Sequence, residues 1–114
     1  HGAVPDLTAC YAAAAVVVVP LRNATGLNIK LVDAAARGRA IVTTPATLAG
    51  APFLTAAVAA EDSPAGFAAA VLHLLDHPAA AAEAARRALA AVRERLSPAA
   101  CYGAVVARLR AAPA

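Results

Sequence analysis

Residues 15–45, AVVVVPLRNATGLNIKLVDAAARGRAIVTTP, decide the fold. The four consecutive valines before Pro20 predict a fully buried strand of a parallel sheet, because such strands are apolar on both faces. A helix is predicted from about Gly26 to Arg37, with Gly38 as its left-handed C-terminal cap. The run AIVTT, which a proline ends, predicts a second buried strand. Strand, helix and strand in this order predict an α/β fold built on a parallel sheet.

The flanking segments predict mainly helices. Asp6 is a candidate N-cap for a short helix through Ala14. Downstream, PATLAGAP is interpreted as a loop and FLTAAVAA as a weak strand candidate. The pairs at positions 63–64 and 97–98, each Ser-Pro, are typical helix starts, with a capping serine before a proline in the first turn. Three apolar helix stripes follow the first pair: Phe67, Val71, Leu74 and Leu75; then Leu89, Val92 and Leu96; then Tyr102, Val105, Val106 and Leu109.

The composition limits the size of the hydrophobic core. The chain has 114 residues, enough for one small domain. Hydrophobic residues make up 61%, but most of them are alanine, and there are two Phe, two Tyr and no Trp. Large side chains supply most of the burial free energy, about 1.5–3 kcal/mol each. We therefore expect marginal stability, or stability gained from contact with a partner surface.

Basic residues cluster towards the C-terminus. The formal net charge is +3, and six of the ten basic residues are arginines after position 85. Glu83 and Glu94 lie among them, and no aromatic residues alternate with the arginines to stack on bases. This pattern favours a solvated helix surface over a nucleic-acid interface.

The spacing of the cysteines and the length of the apolar runs indicate the cellular compartment of the protein. Cys10 and Cys101 match no metal or redox spacing, and we expect free, buried thiols in a reducing compartment. The sequence shows no signal-peptide pattern, and its longest apolar run is shorter than the ~18–20 residues of a membrane span. The prediction is a cytoplasmic protein without a transmembrane segment, with attachment to a membrane surface in a longer parent enzyme as an alternative.

A candidate ligand site lies in the loop after the first strand and in the first turns of the helix. Ligands of open parallel sheets bind beyond the carboxyl ends of the strands. With Thr25 as the cap, the amides of the next three residues would point out of the first turn and favour phosphate. Arg22 could add a cation, and Asp33 could accept hydrogen bonds from sugar hydroxyls. The candidate nucleotide-sugar-binding residues are Arg22, Thr25, Gly26, Leu27, Asn28, Lys30 and Asp33.

The same residues have a simpler interpretation. Lys30, Asp33 and Arg37 are spaced i, i+3 and i+7, which is also the pattern of an ordinary solvated helix face. The glycine at position 26 could serve only to start the helix. Spacing alone does not distinguish a binding site from a solvated helix face.

The quoted residues resemble a known enzyme family. From Pro5 to Pro45 the chain has Pro-Asp-Leu, a short helix, an apolar strand ending in proline, a Gly-containing loop, a helix, and a strand that ends in a Thr-Pro loop. This order is similar to the C-terminal nucleotide-sugar domain of GT-B glycosyltransferases, in particular the family-4-like retaining group. The later VAAEDSPAGFAAAVLHLLDHP also resembles that family. The resemblance implies a three-layer, Rossmann-like parallel sheet, the second half of a GT-B C-terminal domain, followed by C-terminal helices.

The resemblance also implies roles for individual residues. Asp33 matches the second acid of the family's E-x7-E element, which holds the ribose hydroxyls of the nucleotide. The first acid, which contacts the donor sugar, falls on Thr25. The amides of Gly26 and Leu27 match those that approach the diphosphate. Ala40 stands where the family usually has proline.

The function implied is that of a retaining glycosyltransferase. It would use a nucleoside-diphosphate sugar as donor, an unknown acceptor, and no metal or other cofactor. Residues 1–114 would form part of the donor-binding domain, with the N-terminal acceptor domain absent. The family's upstream Arg and Lys would also be missing, so no catalytic residue is assigned and the isolated chain is expected to be inactive. His73 and His77 are interpreted as helix-surface residues rather than bases.

Two other classes of protein stay open. One is a non-catalytic α/β interaction module whose basic helices dock on a partner protein. The other is a phosphate binder similar to a response regulator, although the acidic pocket at the strand ends is missing.

In the family's strand order, the valine strand would lie at the edge of this part of the sheet. Because such an edge carries no charge, we expect the fragment to form a homodimer with residues 15–19 at or near the contact.

Overall fold

A computed structural model describes residues 2–113 of the chain. Within these residues, four helices and three strands make up the first two thirds of the chain, and two further helices follow. In chain order the elements are α1 Thr8–Ala13, β1 Val16–Val19, α2 Ile29–Ala36, β2 Ala40–Thr43, α3 Pro45–Leu48, a turn of 3-10 helix at Pro52–Leu54, β3 Ala59–Ala60, α4 Pro64–Asp76, α5 Pro78–Leu96 and α6 Pro98–Ala111.

The three strands form one parallel sheet in the order β1-β2-β3. Val16 pairs with Ala40, and the register continues to the pair of Val19 with Thr43. All four residues of β2 are buried, as expected for a central strand. The predicted α/β class with a parallel sheet is confirmed.

Helices cover both faces of the sheet. Ile41 packs in a cluster with Leu31 of α2 and Val92 of α5, whereas Val42 packs with Leu74 of α4 on the other face. Neighbouring residues of a strand point to opposite faces, so these two clusters define three layers. The predicted Rossmann-like layering followed by C-terminal helices is confirmed.

The predicted burial of the valine strand is wrong. Val19 is buried, but Val18 is 48% exposed, and the first two valines are half-buried. The reason is the strand order: β1 pairs with β2 on one side, and nothing in residues 2–113 pairs with its other side. Its predicted position at an edge is therefore confirmed.

The start of α2 also differs from the prediction. The helix begins at Ile29 rather than near Gly26, because the backbone of Asn28 is extended and its side-chain oxygen accepts the amide of Leu31 at 3.2 Å. Asn28, not Thr25, is the N-cap. Gly26 lies in a left-handed turn with φ of 65° before the helix. The loop is thus three residues longer than expected.

The end of α2 follows the prediction. Gly38 has a left-handed φ of 64°. The amide of Gly38 donates to the carbonyl of Ala35 at 3.0 Å, and the amide of Arg39 donates to the carbonyl of Ala34 at 3.1 Å. These two bonds form a Schellman motif, which returns the chain directly into β2.

The predicted loop PATLAGAP contains a short helix, α3. Thr44 accepts the amide of Thr47 and Pro45 occupies the first turn, which is the same signal that starts α4 and α6. In those helices Ser63 accepts the amide of Gly66 and Ser97 that of Ala100, as predicted. The weak strand FLTAAVAA is reduced to Ala59–Ala60, because its first residues form the 3-10 turn.

The predicted apolar stripes of α4, α5 and α6 differ in how far they are buried. Leu74 of α4 and Val92 of α5 are buried as predicted, but the stripe of α6 is not, since Tyr102 is 64% and Leu109 71% exposed. In the described chain α6 packs against α5 and has no buried residue of its own, and the longest dimension of the chain, α6 included, is 60 Å. The prediction of a packed α6 face is wrong for these residues.

Smaller differences concern the N-terminal helix and the cysteines. α1 runs from Thr8 to Ala13 and its N-cap is Leu7, so the prediction of Asp6 as the N-cap is wrong by one residue; the amide of Thr8 donates to a carboxylate oxygen of Asp6 at 2.9 Å. Cys10 and Cys101 are free, as predicted, but exposed rather than buried. None of the helices in residues 2–113 combines the length and apolar character needed to cross a membrane.

Candidate functional site

A cleft opens where the three strands end. Because the strands are parallel, the loops that follow β1, β2 and β3 meet at one edge of the sheet. Between them lies a cleft of about 520 Å³, which we call the strand-end cleft. Its wall residues include Arg22, Thr44, Glu61, Asp62, Ser63 and Phe67.

Charges of both signs line the strand-end cleft. Arg22 comes from the loop after β1, and Glu61 and Asp62 from the loop after β3. Among the residues that the structure describes, neither carboxylate forms an ion pair with Arg22. The guanidinium group is therefore available to an anion entering the cleft.

Buried threonines fix the path of the loop after β1. Thr43 donates its hydroxyl to the carbonyl of Val19 at 3.0 Å, and Thr44 donates to that of Leu21. The hydroxyl of Thr47, which is fully buried, lies 3.0 Å from that of Thr44. Buried hydroxyls must find partners, so these bonds tie the residues before Arg22 to the next loop.

The backbone amides that could bind a phosphate do not lie in the first turn of α2, where the sequence predicts them. Since α2 begins at Ile29, the amides of Gly26, Leu27 and Asn28 belong to the preceding loop and not to the first helical turn. None of the three donates to a protein acceptor in the described part of the chain. Successive amides can form an anion-binding concavity outside a helix where the backbone includes a left-handed residue, as it does at Gly26. The first-turn amide of Ile29, which sequence reasoning missed, lies directly beyond them.

Asp33 lies in a different environment from Arg22. Its carboxylate forms an ion pair with Arg37 at 3.0 Å. Arg37 in turn lies over the ring of Tyr11, 4.8 Å from the centroid, and donates to the hydroxyl of Thr8 at 3.1 Å. Partial burial, and then the nearby Asp33 carboxylate, raise the pKa of Tyr11 above its usual value. A ligand hydroxyl at Asp33 would have to share the carboxylate with Arg37.

The structure thus brings together only part of the predicted set. The strand-end cleft is lined by Arg22 but not by Asp33. Thr25 and Lys30 are exposed near the start of α2. Sequence reasoning missed Thr44, Glu61 and Ser63, although each lies at or within three residues of the end of a predicted strand. The rule that ligands bind at strand carboxyl ends, applied to all three strands, would have found them.

The other polar groups of residues 2–113 do not form a metal-binding site. In residues 2–113 no three His, Cys, Asp or Glu side chains are arranged to hold a metal ion. His73 and His77 stack with ring centroids 4.4 Å apart near the far end of α4, and both are exposed. Their position on the helix surface agrees with the prediction.

The sequence model of one protein family, described as glycosyl transferases group 1, matches residues 1–77. The chain belongs to this glycosyltransferase family. No curated protein and no solved structure matches it significantly.

The family match covers the part of this glycosyltransferase domain that builds the site. Residues 1–77 contain the whole sheet and every wall residue of the strand-end cleft named above, whereas α5 and α6 lie beyond the match. The predicted resemblance to a GT-B glycosyltransferase-like domain is confirmed.

Proposed function

We propose that the chain is the donor-binding part of a retaining glycosyltransferase and binds a nucleoside-diphosphate sugar. One observation carries the proposal: in a member of this family, an unpaired arginine lines the cleft at the strand ends, and the segment between β1 and α2 that holds it also holds three unpaired amides, at residues 26–28. Arginine and backbone amides are the groups that bind phosphate best in proteins.

The proposed roles follow from charge and position. Arg22 and the amides of Gly26 and Leu27 would contact the diphosphate, with Thr25, Asn28 and Lys30 around them. Asp33 would accept the ribose hydroxyls while keeping its ion pair with Arg37. The proposal gives Glu61 and Asp62, which line this edge, no role in proton transfer, and the roles above do not require a metal.

Catalysis in the parent enzyme would be mainly electrostatic. Donors that face the departing diphosphate stabilise the charge that develops on it. The acceptor would be oriented in a cleft against a separate acceptor domain, which the proposal places upstream of this partial domain. The enzyme would act in the cytoplasm, free or attached to a membrane surface.

The isolated chain is expected to bind UDP or GDP weakly. A dissociation constant in the millimolar range, about −4 kcal/mol, is expected because only part of the site is present. Amide NMR shifts during a nucleotide titration would measure it, and the shifts should concentrate in residues 26–33. Shifts confined to other regions would contradict the site assignment.

A pair of arginine variants sharpens this test. Arg22→Ala is expected to weaken UDP binding at least about tenfold, since a hydrogen bond to a charged group contributes about 1.5–3 kcal/mol. Arg93→Ala removes an equally exposed arginine from α5 and should leave binding unchanged. Equal effects of the two variants would indicate nonspecific attraction to a basic surface.

No glycosyl transfer by the isolated chain is expected. The reason is that the proposal assigns acceptor binding to a separate domain, and that Arg22 is the single arginine lining the strand-end cleft in the described residues. A radiolabelled-sugar or nucleotide-release assay with the common UDP- and GDP-sugars measures this against a buffer blank. Any turnover above that blank would show that the 114 residues hold a complete active site.

The second candidate function is a non-catalytic interaction module. The observation in its favour is the exposed apolar face of α6, formed by Tyr102, Val105 and Leu109. Arg108 and Arg110 lie on the same helix. Failure of any nucleoside diphosphate to shift the amides of residues 26–33 would favour this module over donor binding.

A further inference from the structure

A close backbone contact fixes the loop that carries the candidate phosphate-binding amides. Gly50, which follows α3, packs against the peptide between Gly26 and Leu27. A Cβ atom at position 50 would overlap the carbonyl oxygen of Gly26 and lie 2.6 Å from its carbonyl carbon. It would also lie 3.3 Å from the nitrogen of Leu27. Only glycine fits at position 50 without moving this peptide.

The two glycines are required for different reasons. Gly26 adopts a left-handed φ of 65°, and a Cβ there would meet nothing within 4 Å. Gly50 has no such φ, so its constraint is space and not backbone conformation. A side chain at position 50 therefore acts on the loop and leaves the conformation of residue 50 itself allowed.

The Gly50 side of the contact is held more firmly than the loop side. The Gly50 amide donates to the carbonyl of Thr47, and the Ala51 amide donates to that of Leu48. The neighbours Thr47, Leu48 and Ala51 are all buried. Gly26 and Leu27 are exposed. An added methyl group would consequently displace the loop and not the segment around Gly50.

The contact also sets the direction of a peptide dipole. In a trans peptide the carbonyl oxygen and the amide hydrogen point to opposite sides, and no cis peptide occurs in the described residues. Because the carbonyl of Gly26 faces Gly50, the amide hydrogen of Leu27 points away from Gly50. That amide has no protein acceptor in residues 2–113.

We infer that Gly50 is a positioning residue of the donor site. It holds the Gly26–Leu27 peptide so that the Leu27 amide, and not the Gly26 carbonyl, faces the ligand phosphates. A reversed peptide would present a carbonyl oxygen to an anion and repel it. This inference rests on the proposed function, since it assumes a phosphate-bearing ligand at this loop.

The test compares two Gly→Ala variants by UDP titration and amide NMR. Gly50→Ala is expected to shift the Gly26 and Leu27 signals of the unliganded chain and to weaken UDP binding at least about tenfold. Gly103→Ala is the matched control, because a Cβ there meets nothing within 4 Å on α6. It should leave those signals and the affinity unchanged. The unfolding midpoint of each variant is measured in parallel, so that lost affinity is not confused with lost folding.

The outcomes separate this inference from the proposed function. Equal UDP affinity of the unaltered chain and a folded Gly50→Ala variant overturns the role of Gly50 and leaves donor binding intact. Absence of UDP binding by the unaltered chain overturns both. If Gly50→Ala does not fold, the test uses the unaltered chain. UDP is then expected to shift the amide NMR signals of Gly50 and Leu27 at the same UDP concentrations. A Gly50 signal that stays fixed while Leu27 moves overturns the inference.

Discussion

Leu31→Ala is expected to lower the free energy of unfolding by about 2–5 kcal/mol, the usual cost of a leucine-sized cavity. Leu31 is fully buried and is the large side chain by which α2 packs on the sheet, since the other buried residues of the helix are Ala34 and Ala35. Total stabilities of small domains are about 5–15 kcal/mol. A core this rich in alanine leaves the chain near the lower end, so much of its stability would be lost.

Urea unfolding followed by circular dichroism measures this effect. The matched control is Leu109→Ala, which removes the same atoms from a side chain that is 71% exposed on α6. That variant should change stability by no more than about 0.5 kcal/mol. Similar midpoints for the two variants would mean that α2 is not packed on the sheet as described.

The isolated chain is expected to self-associate through β1. The strand has no charge, no proline within it and an unpaired side in the described structure, and such edges readily pair with another chain. Antiparallel pairing of two β1 strands about a two-fold axis would extend the sheet and cover Val18. Sedimentation at protein concentrations on the order of tens of micromolar should give about twice the monomer mass of 11.2 kDa.

A pair of Val→Lys variants distinguishes the edge strand from α6 as the contact. Val18→Lys places a charge on the edge and should give a monomer. Val105→Lys places the same charge on an equally accessible valine of α6, which is 57% exposed, and should leave the dimer intact. The reverse result would assign self-association to α6. A monomeric unaltered chain would show that the β1 edge does not pair.

Much of the candidate site could be predicted from sequence, but not its geometry. The position of the loop after β1 follows from the order of strand and helix, and that order alone indicates Arg22. The sequence does not fix the start of α2, because Thr25 and Asn28 are both good N-caps and local preference does not choose between them. The pairing of Asp33 with Arg37 is at i, i+4 spacing and could have been anticipated. The contact of Gly50 with Gly26 could not, since it joins residues far apart in sequence.

The sequence by itself determined the features that depend on neighbouring residues. The Schellman turn at Gly38 and the serine caps at Ser63 and Ser97 arise from local hydrogen bonds, and the strand segments β1 and β2 from short runs of apolar residues. The tertiary structure alone decided which apolar faces are covered. Val18 and the α6 stripe carry the same residue types as buried core positions, yet they are exposed because no element of the described chain packs against them. Burial depends on a partner surface, and periodicity within one segment carries no information about whether that surface is present.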